Sequence, residues 1–213
     1  MGIYVPRHFA APDRASVARL VHDYPFATLV TPHAAEVLVT HLPLIHVADR
    51  EPHGTLFGHF ARANPHAAVD RSSDSVAIFH GPHAYVTPSW YSDPDRAVPT
   101  WNYAVVHMHG PLEIARDPAE TRAVLDLMVH RFEASRTKPW QLRLEPGFLA
   151  SMVGAIVGFR IKVKRVDAKW KLSQNRSPDD RRRVAEGLDD EGYAEAAATA
   201  AWMRGLTEAD AGN

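Results

Sequence analysis

No cysteine occurs among the 213 residues. That excludes disulfides, thiolate metal ligands and a cysteine nucleophile, and it is compatible with a reducing compartment. No apolar run approaches the roughly 20 residues of a membrane-spanning helix. The formal net charge is -1, so the basic excess that wholesale attraction to nucleic acid or membrane requires is missing. Gly-x-Gly-x-x-Gly, the Walker phosphate loop and His-Glu-x-x-His are absent as well, which removes support for dinucleotide, nucleoside-triphosphate and zinc-protease folds. The start, Met1 to Arg7, has neither the charged-then-apolar order of a signal peptide nor a hydroxyl residue at the myristoylation position, and a cytoplasmic protein is expected. Asn175-Arg176-Ser177 fits the glycosylation sequon, a match without meaning unless the chain is secreted.

What is present begins with aromatics. Tyr85 to Tyr103 holds two Trp and three Tyr among hydroxyls and an amide. Such side chains combine apolar area with hydrogen-bonding handles and suit a flat, polar-edged heterocycle, although a well-packed core with satisfied Tyr and Trp is the plainer reading. Pro88, Pro94 and Pro99 put the cluster at element ends, where binding residues gather. Charge is also uneven. Between Arg160 and Arg183 stand ten basic residues against three acids, so an anionic group could be met there.

Periodicity predicts an α+β chain, mainly β. Asp13 caps a helix presenting Val17, Leu20, Val21 and Tyr24 and stopped by Pro25. Strands are expected at Phe26–Thr31 and Glu36–Val47, at Gly54–Phe60, at Ser75–His80 and His83–Thr87 about a Gly81-Pro82 turn, at Trp101–Ile114 with Gly110-Pro111 near its close, and at Ile156–Val166. Helices are expected from Pro118 to about Glu133 with Asp117 as cap, at Pro146–Val153, from Pro178, and in the Ala-rich Tyr193–Met203, with Glu208–Asn213 frayed. Short strands with interspersed helices argue for an antiparallel barrel with helical decoration.

Four clusters could carry chemistry. Gly58 to Pro65 ends a strand in Arg62 and Asn64 beside a proline bend, and an Arg there can grip a phosphate bidentately. Ser89, Thr100 and Asn102 in the aromatic segments could bond a ring edge or a sugar-like chain. Lys169 to Asn175, read as a loop, offers a cation, a hydroxyl and two amides. Thirteen His invite a metal or haem, but His107 with His109 and His80 with His83 lack acidic or thiolate company, and no metal site is assigned. Ser89, His59 and Asp93 could be written as a triad, but no nucleophile elbow supports it.

Tyr4 to Phe9, Thr40-His-Leu-Pro43, Gly58 to Pro65, Phe79 to Pro82, Tyr85 to Tyr91, Val98 to Tyr103 and Lys171-Leu-Ser-Gln-Asn175, in this order, resemble the PaiB-like negative transcriptional regulators. These are members of the FMN-binding split-barrel group related to pyridoxamine phosphate oxidases. The resemblance runs to about Leu188, which makes residues 1–188 the FMN-binding domain and 189–213 a helical extension. It implies a six-stranded antiparallel split β-barrel with peripheral helices, forming a homodimer with two flavin sites at the interface. FMN contacts are expected from Arg62, Asn64, Ser89, Trp90, Tyr91, Thr100, Trp101, Asn102, Lys171, Ser173 and Gln174. Arg62 and Lys171 would meet the phosphate, with Ser173 or Thr100 donating. The isoalloxazine would lie on Trp90 or Trp101, with Asn102 or Gln174 at its polar edge. Replacing Arg62 with Ala is expected to weaken FMN binding several-fold. A reduced nicotinamide is the natural electron donor. Two alternatives remain open: a regulator touching DNA directly, for which Pro178–Leu188 supplies one basic helix without a partner helix, and an enzyme of the same fold using haem or another cofactor.

Overall fold

The computed structural model describes residues 2–48, 52–69 and 74–211, with the backbone alone for 207–211. Among the described residues eight strands are formed: β1 (Phe26–His33), β2 (Glu36–Pro43), β3 (Ile45–Val47), β4 (Thr55–Ala61), β5 (Asp74–Val86), β6 (Thr100–Ile114), β7 (Ile156–Lys162) and β8 (Arg165–Lys171). They hydrogen-bond in the order β2-β1-β5-β6-β7-β4-β3, with β8 on β6. The registered pairs are antiparallel. Among the same described residues five α-helices accompany them: α1 (Arg14–Asp23), α2 (Pro118–Glu133), α3 (Pro146–Gly154), α4 (Pro178–Asp190) and α5 (Ala194–Ala211).

The expected α+β class with an antiparallel sheet is therefore observed, but the strand count differs, eight against six. Glu36–Val47 is two strands because the chain breaks at Leu44, whose amide turns back to the Pro25 carbonyl at 2.9 Å. Of the segment Lys169–Asn175 read as a loop, the first three residues close β8 and the rest forms a turn. Gly81-Pro82 is not a turn. β5 runs through it, and Gly81 is there because a Cβ would stand 2.7 Å from Leu20 Cδ1. Gly110-Pro111 likewise lies inside β6, where a Cβ on Gly110 would sit 2.0 Å from the Lys162 carbonyl. Both glycines admit a close neighbour rather than a bend.

Helix starts follow local chemistry. The Asp13 carboxylate accepts from the Ser16 amide at 2.7 Å, and Asp117 accepts from Glu120 N at 2.9 Å ahead of Pro118. Ser177 accepts from Asp180 N at 3.1 Å. Each satisfies one of the amides that a helix leaves without an internal partner. α5 continues to Ala211, past the point where fraying was expected, while Gly212 and Asn213 lie outside the described residues.

The chain divides into two compact units: Met1–Asp23, His80–Val106 and Asp167–Asn213 form the first, Tyr24–Phe79 and His107–Val166 the second. In the first, Leu20, Val86, Val106, Trp170, Leu172 and Val184 are fully buried. In the second, Phe60 and Phe159 stack with ring centres 4.2 Å apart, among Leu29, Leu44, Leu56 and Ile161. Among the described residues no helix is long and apolar enough to cross a membrane, and no group of three or more His, Asp or Glu is placed to hold a metal.

Candidate functional site

In the first unit, β8 places Lys169 and Lys171 two residues apart, on one face of the strand. Lys171 Nζ donates to Thr100 Oγ1 at 2.5 Å and to the Trp101 carbonyl at 2.6 Å. Lys169 Nζ stands 5.5 Å from the ring centres of Tyr4 and Tyr103. The Arg176 guanidinium lies 4.4 Å over the ring of Tyr91, which is itself buried. Hydroxyl, carbonyl and aromatic faces are the partners of these three cations. Partial burial first, then the charges of Lys169 and Arg176, pushes the Lys171 ammonium below its ordinary value. A cation so placed gains most from an incoming anion.

β8 ends in a locked turn. Ser173 takes a left-handed conformation with φ 66°, and its hydroxyl exchanges bonds with the Asn102 amide at 3.0 and 3.2 Å. Asn102 also donates to the sulfur of Met203 on α5. Gln174 spans the turn, accepting from Leu172 N at 2.8 Å and donating to Trp170 O at 2.6 Å. Asn102 and Ser173 thus bond each other while Gln174 braces the same turn, and their polar atoms hold the backbone that carries Lys171.

The two predicted indoles differ in surroundings. Trp101 is 51% exposed, and it neighbours His83 and Tyr85 with ring centres 5.7 and 6.4 Å away. Trp90 is half-buried against α4, where a Cβ on Gly187 would come within 2.5 Å of its ring. Ser89, beside it, is exposed and shares a 2.7 Å bond with the Thr87 hydroxyl. Ser92 N donates to Asp180 at 2.8 Å, a second tie to the same helix. Gly187→Ala is accordingly expected to displace the indole at a cost of about 1–3 kcal/mol, seen as a changed near-ultraviolet circular dichroism spectrum and a lowered melting temperature. An unaltered spectrum would contradict this seating.

Arg62 and Asn64 belong to the second unit. Arg62 is exposed, and its Nε and Nη2 donate to the carbonyls of Gly154 at 2.5 Å and Ile156 at 2.9 Å, while its amide meets Ala155 O. Carbonyls at the end of α3 lack helical partners, and the guanidinium supplies them. Asn64 accepts from the His66 amide at 2.9 Å and donates to Thr40 Oγ1 at 3.1 Å. His66 is 1% exposed, stacks on Phe60, and its ring nitrogens lie 2.8 Å from Thr40 Oγ1 and 3.1 Å from Thr31 Oγ1. The Thr40-His-Leu-Pro43 and Gly58-to-Pro65 segments are therefore joined by one hydrogen-bonded network. Burial first, then His33, lowers the His66 imidazole below its ordinary value.

The basic run resolves into two kinds of charge. Arg160 and Lys162 meet Glu113, Lys164 meets Asp74, Arg182 meets Asp179 and Glu186, and Arg183 meets Asp179. These pairs neutralise much of the excess locally, including most of what made α4 look suited to a phosphate backbone. Arg176 was missed as a site candidate, and Lys169 was noted only as the start of a segment read as a loop, not as a flavin contact. The alternation Lys169, Lys171 on a strand would have found Lys169, but the turn that returns Arg176 to Tyr91 has no sequence signature.

Residues 3–165 match the family described as "Putative FMN-binding domain". The chain is 37% identical over 192 residues to the protease synthase and sporulation protein PAI 2 of Bacillus subtilis, covering 89% of this chain and 90% of that one. It is 31% identical over 173 residues to an uncharacterized protein of Aspergillus fumigatus, covering 64% and 66%. Among solved structures, the FAD and heme binding protein from Mycobacterium smegmatis superposes with a TM-score of 0.60 at 16% identity, covering 83% of this chain and 79% of that one. The flavocytochrome Anf3 from Azotobacter vinelandii gives 0.58 at 15%, covering 78% and 72%. The structural likenesses speak for the fold, and the sequence matches for kinship: this chain belongs to the PaiB-like family of FMN-binding-domain proteins.

Proposed function

We propose that the chain binds FMN and works as a flavin-dependent redox or sensory protein linked to transcriptional repression. The observation that carries the reading is the cation group of the first unit. Lys169, Lys171 and Arg176 are held by hydroxyl, carbonyl and ring partners, next to an exposed indole. A flavin phosphate brings close to two negative charges, and an isoalloxazine brings a flat face for Trp101. The residues therefore fit the group. Lys171 would meet the phosphate with Thr100 donating, Trp101 would cover the ring, and Asn102, Ser173 and Gln174 would keep the turn rigid. Ser89, Trp90 and Tyr91 would border the ring. In the second unit, Arg62 would offer an anion its remaining guanidinium nitrogen, and Asn64 would keep the adjoining bend in shape. FMN, when bound, supplies reversible one- and two-electron transfer. The chain's part is to bind it, orient it and limit access of water. A reduced nicotinamide is the proposed electron donor. A split barrel assembled as a homodimer, with residues 189–213 as an extension of the flavin-binding domain 1–188, completes the proposal.

Absorption and fluorescence of the purified chain before and after adding FMN test it. Flavin bands that shift, with emission quenched to a saturable endpoint, are expected. Riboflavin, lacking the phosphate, should bind about tenfold or more weakly, since a charge-assisted bond contributes about 1.5–3 kcal/mol. No saturation with FMN, or a Soret band in its place, would refute the reading. Salt-sensitive retardation of promoter DNA by a chain that ignores FMN would favour direct DNA contact instead.

A further inference from the structure

The second unit contains a cavity of about 400 Å³ between α2 and strands β4, β6 and β7, lined by none of the residues named above for FMN. Its walls are Phe57, Ile114, Val124, Leu127 and Phe159. Of these, Phe57, Ile114 and Leu127 remain half-buried, although Val124 belongs to the core cluster with Ile45 and Met128. Large apolar side chains are thus left facing an opening. The volume lies toward the lower end of ordinary small-ligand pockets, about 300–1,000 Å³.

The rim is ionic and balanced. Arg160 Nη2 meets Glu113 Oε2 at 2.7 Å, and Arg116 Nε meets Glu120 Oε1 at 2.8 Å, with the Arg116 amide on the other Glu120 oxygen. The hydrogen bonds from Arg116 hold the Glu120 carboxyl down to about 2, so that pair persists across ordinary pH. Two cations facing two carboxylates give a charged occupant no net attraction. An ionic group entering would have to break a pair already made, whereas an apolar body gains from the walls alone.

We propose that this cavity binds a neutral, mainly apolar molecule of about the size of a bicyclic aromatic, at a site separate from the flavin site. The probe for it is indole, with indole-3-acetate and tryptamine as anionic and cationic counterparts, titrated against the full chain by saturation-transfer NMR. Saturable transfer to indole is expected, with the two charged analogues binding no more tightly. Ala123→Trp, which puts an indole of its own into the lining, should weaken the interaction tenfold or more and leave FMN titration unchanged. Should that variant fold poorly, methyl resonances of the unaltered chain serve: those of Ile114, Val124 and Leu127 should shift on adding indole. No saturable transfer, undiminished binding in a folded A123W chain, or a charged analogue tenfold tighter than indole would overturn the proposal. So would an A123W chain that changes only its sedimentation, because the cavity would then be a contact between copies.

Discussion

Lys171→Ala is expected to raise the dissociation constant for FMN by about 10- to 100-fold, as loss of one charge-assisted phosphate contact would. The effect should be confined to the phosphate. Riboflavin affinity should change little, so the preference for FMN collapses in the variant, and Lys171→Arg should recover part of it. An unchanged ratio of FMN to riboflavin affinity would show that the phosphate lies elsewhere, even if both affinities fell. The pH dependence follows from surroundings. Burial, then Lys169 and Arg176, lower the Lys171 value from the usual lysine range. Its charge is therefore lost earlier than a solvated lysine's as pH rises, and FMN affinity should decline before a free ammonium titrates. Because phosphate favours the charged form, binding on the alkaline side should take up protons. Arg62→Ala is a less clean experiment, since the same guanidinium holds two carbonyls beside α3.

His66→Ala is expected to destabilise the fold by about 2–4 kcal/mol, because it removes a buried ring stacked on Phe60 and leaves two threonine hydroxyls short of a partner. At this chain length that corresponds to a melting temperature lower by roughly 5–15 °C. Thr31 keeps Ser75 at 2.7 Å and Thr40 keeps Asn64, so the loss should stop short of collapse. The acid side gives the sign. Burial lowers the folded-state value of His66, so the unfolded chain binds the proton more readily. Stability is full above the unfolded value near 6.5 and falls as pH drops toward the depressed folded value. His59, also lowered by burial, adds to the same slope. The gap in melting temperature between the natural chain and His66→Ala should accordingly narrow from pH 7.5 to pH 5.5. A constant gap would mean that His66 is not the group being protonated.

Local chemistry made the helices legible. Asp13, Asp117 and Ser177 are hydrogen-bonding caps, and a proline follows two of them, so their positions could be read residue by residue. The strands were legible by composition but not at their breaks. Gly81-Pro82 and Gly110-Pro111 carry turn-forming residues whose purpose is close packing against Leu20 and the Lys162 carbonyl, a tertiary fact invisible in a one-dimensional pattern. At the site, Lys171 and Thr100 were expected beside one phosphate and are hydrogen-bonded across 71 residues of chain, whereas Asn102 and Ser173, assigned to the ring edge and to the phosphate, bond each other. Family motifs supplied the first pairing, not periodicity. The segment containing Arg62 and Asn64 was read as ligand-binding, and its side chains are in hydrogen bonds to a helix end and to a buried histidine. The sequence around Asn64 could not distinguish the two, because a bend that aims a ligand contact and a bend that buries His66 use the same residue types.

The span recognised by the family ends at residue 165, whereas β8, α4 and α5 follow it. Lys169, Lys171, Ser173 and Arg176 all stand in that remainder, and so does Met203, which touches Asn102. A gene cut to the recognised span, or a chimera grafted at its border, would express a protein stripped of the three cations grouped at the candidate site and of the lid over a buried amide.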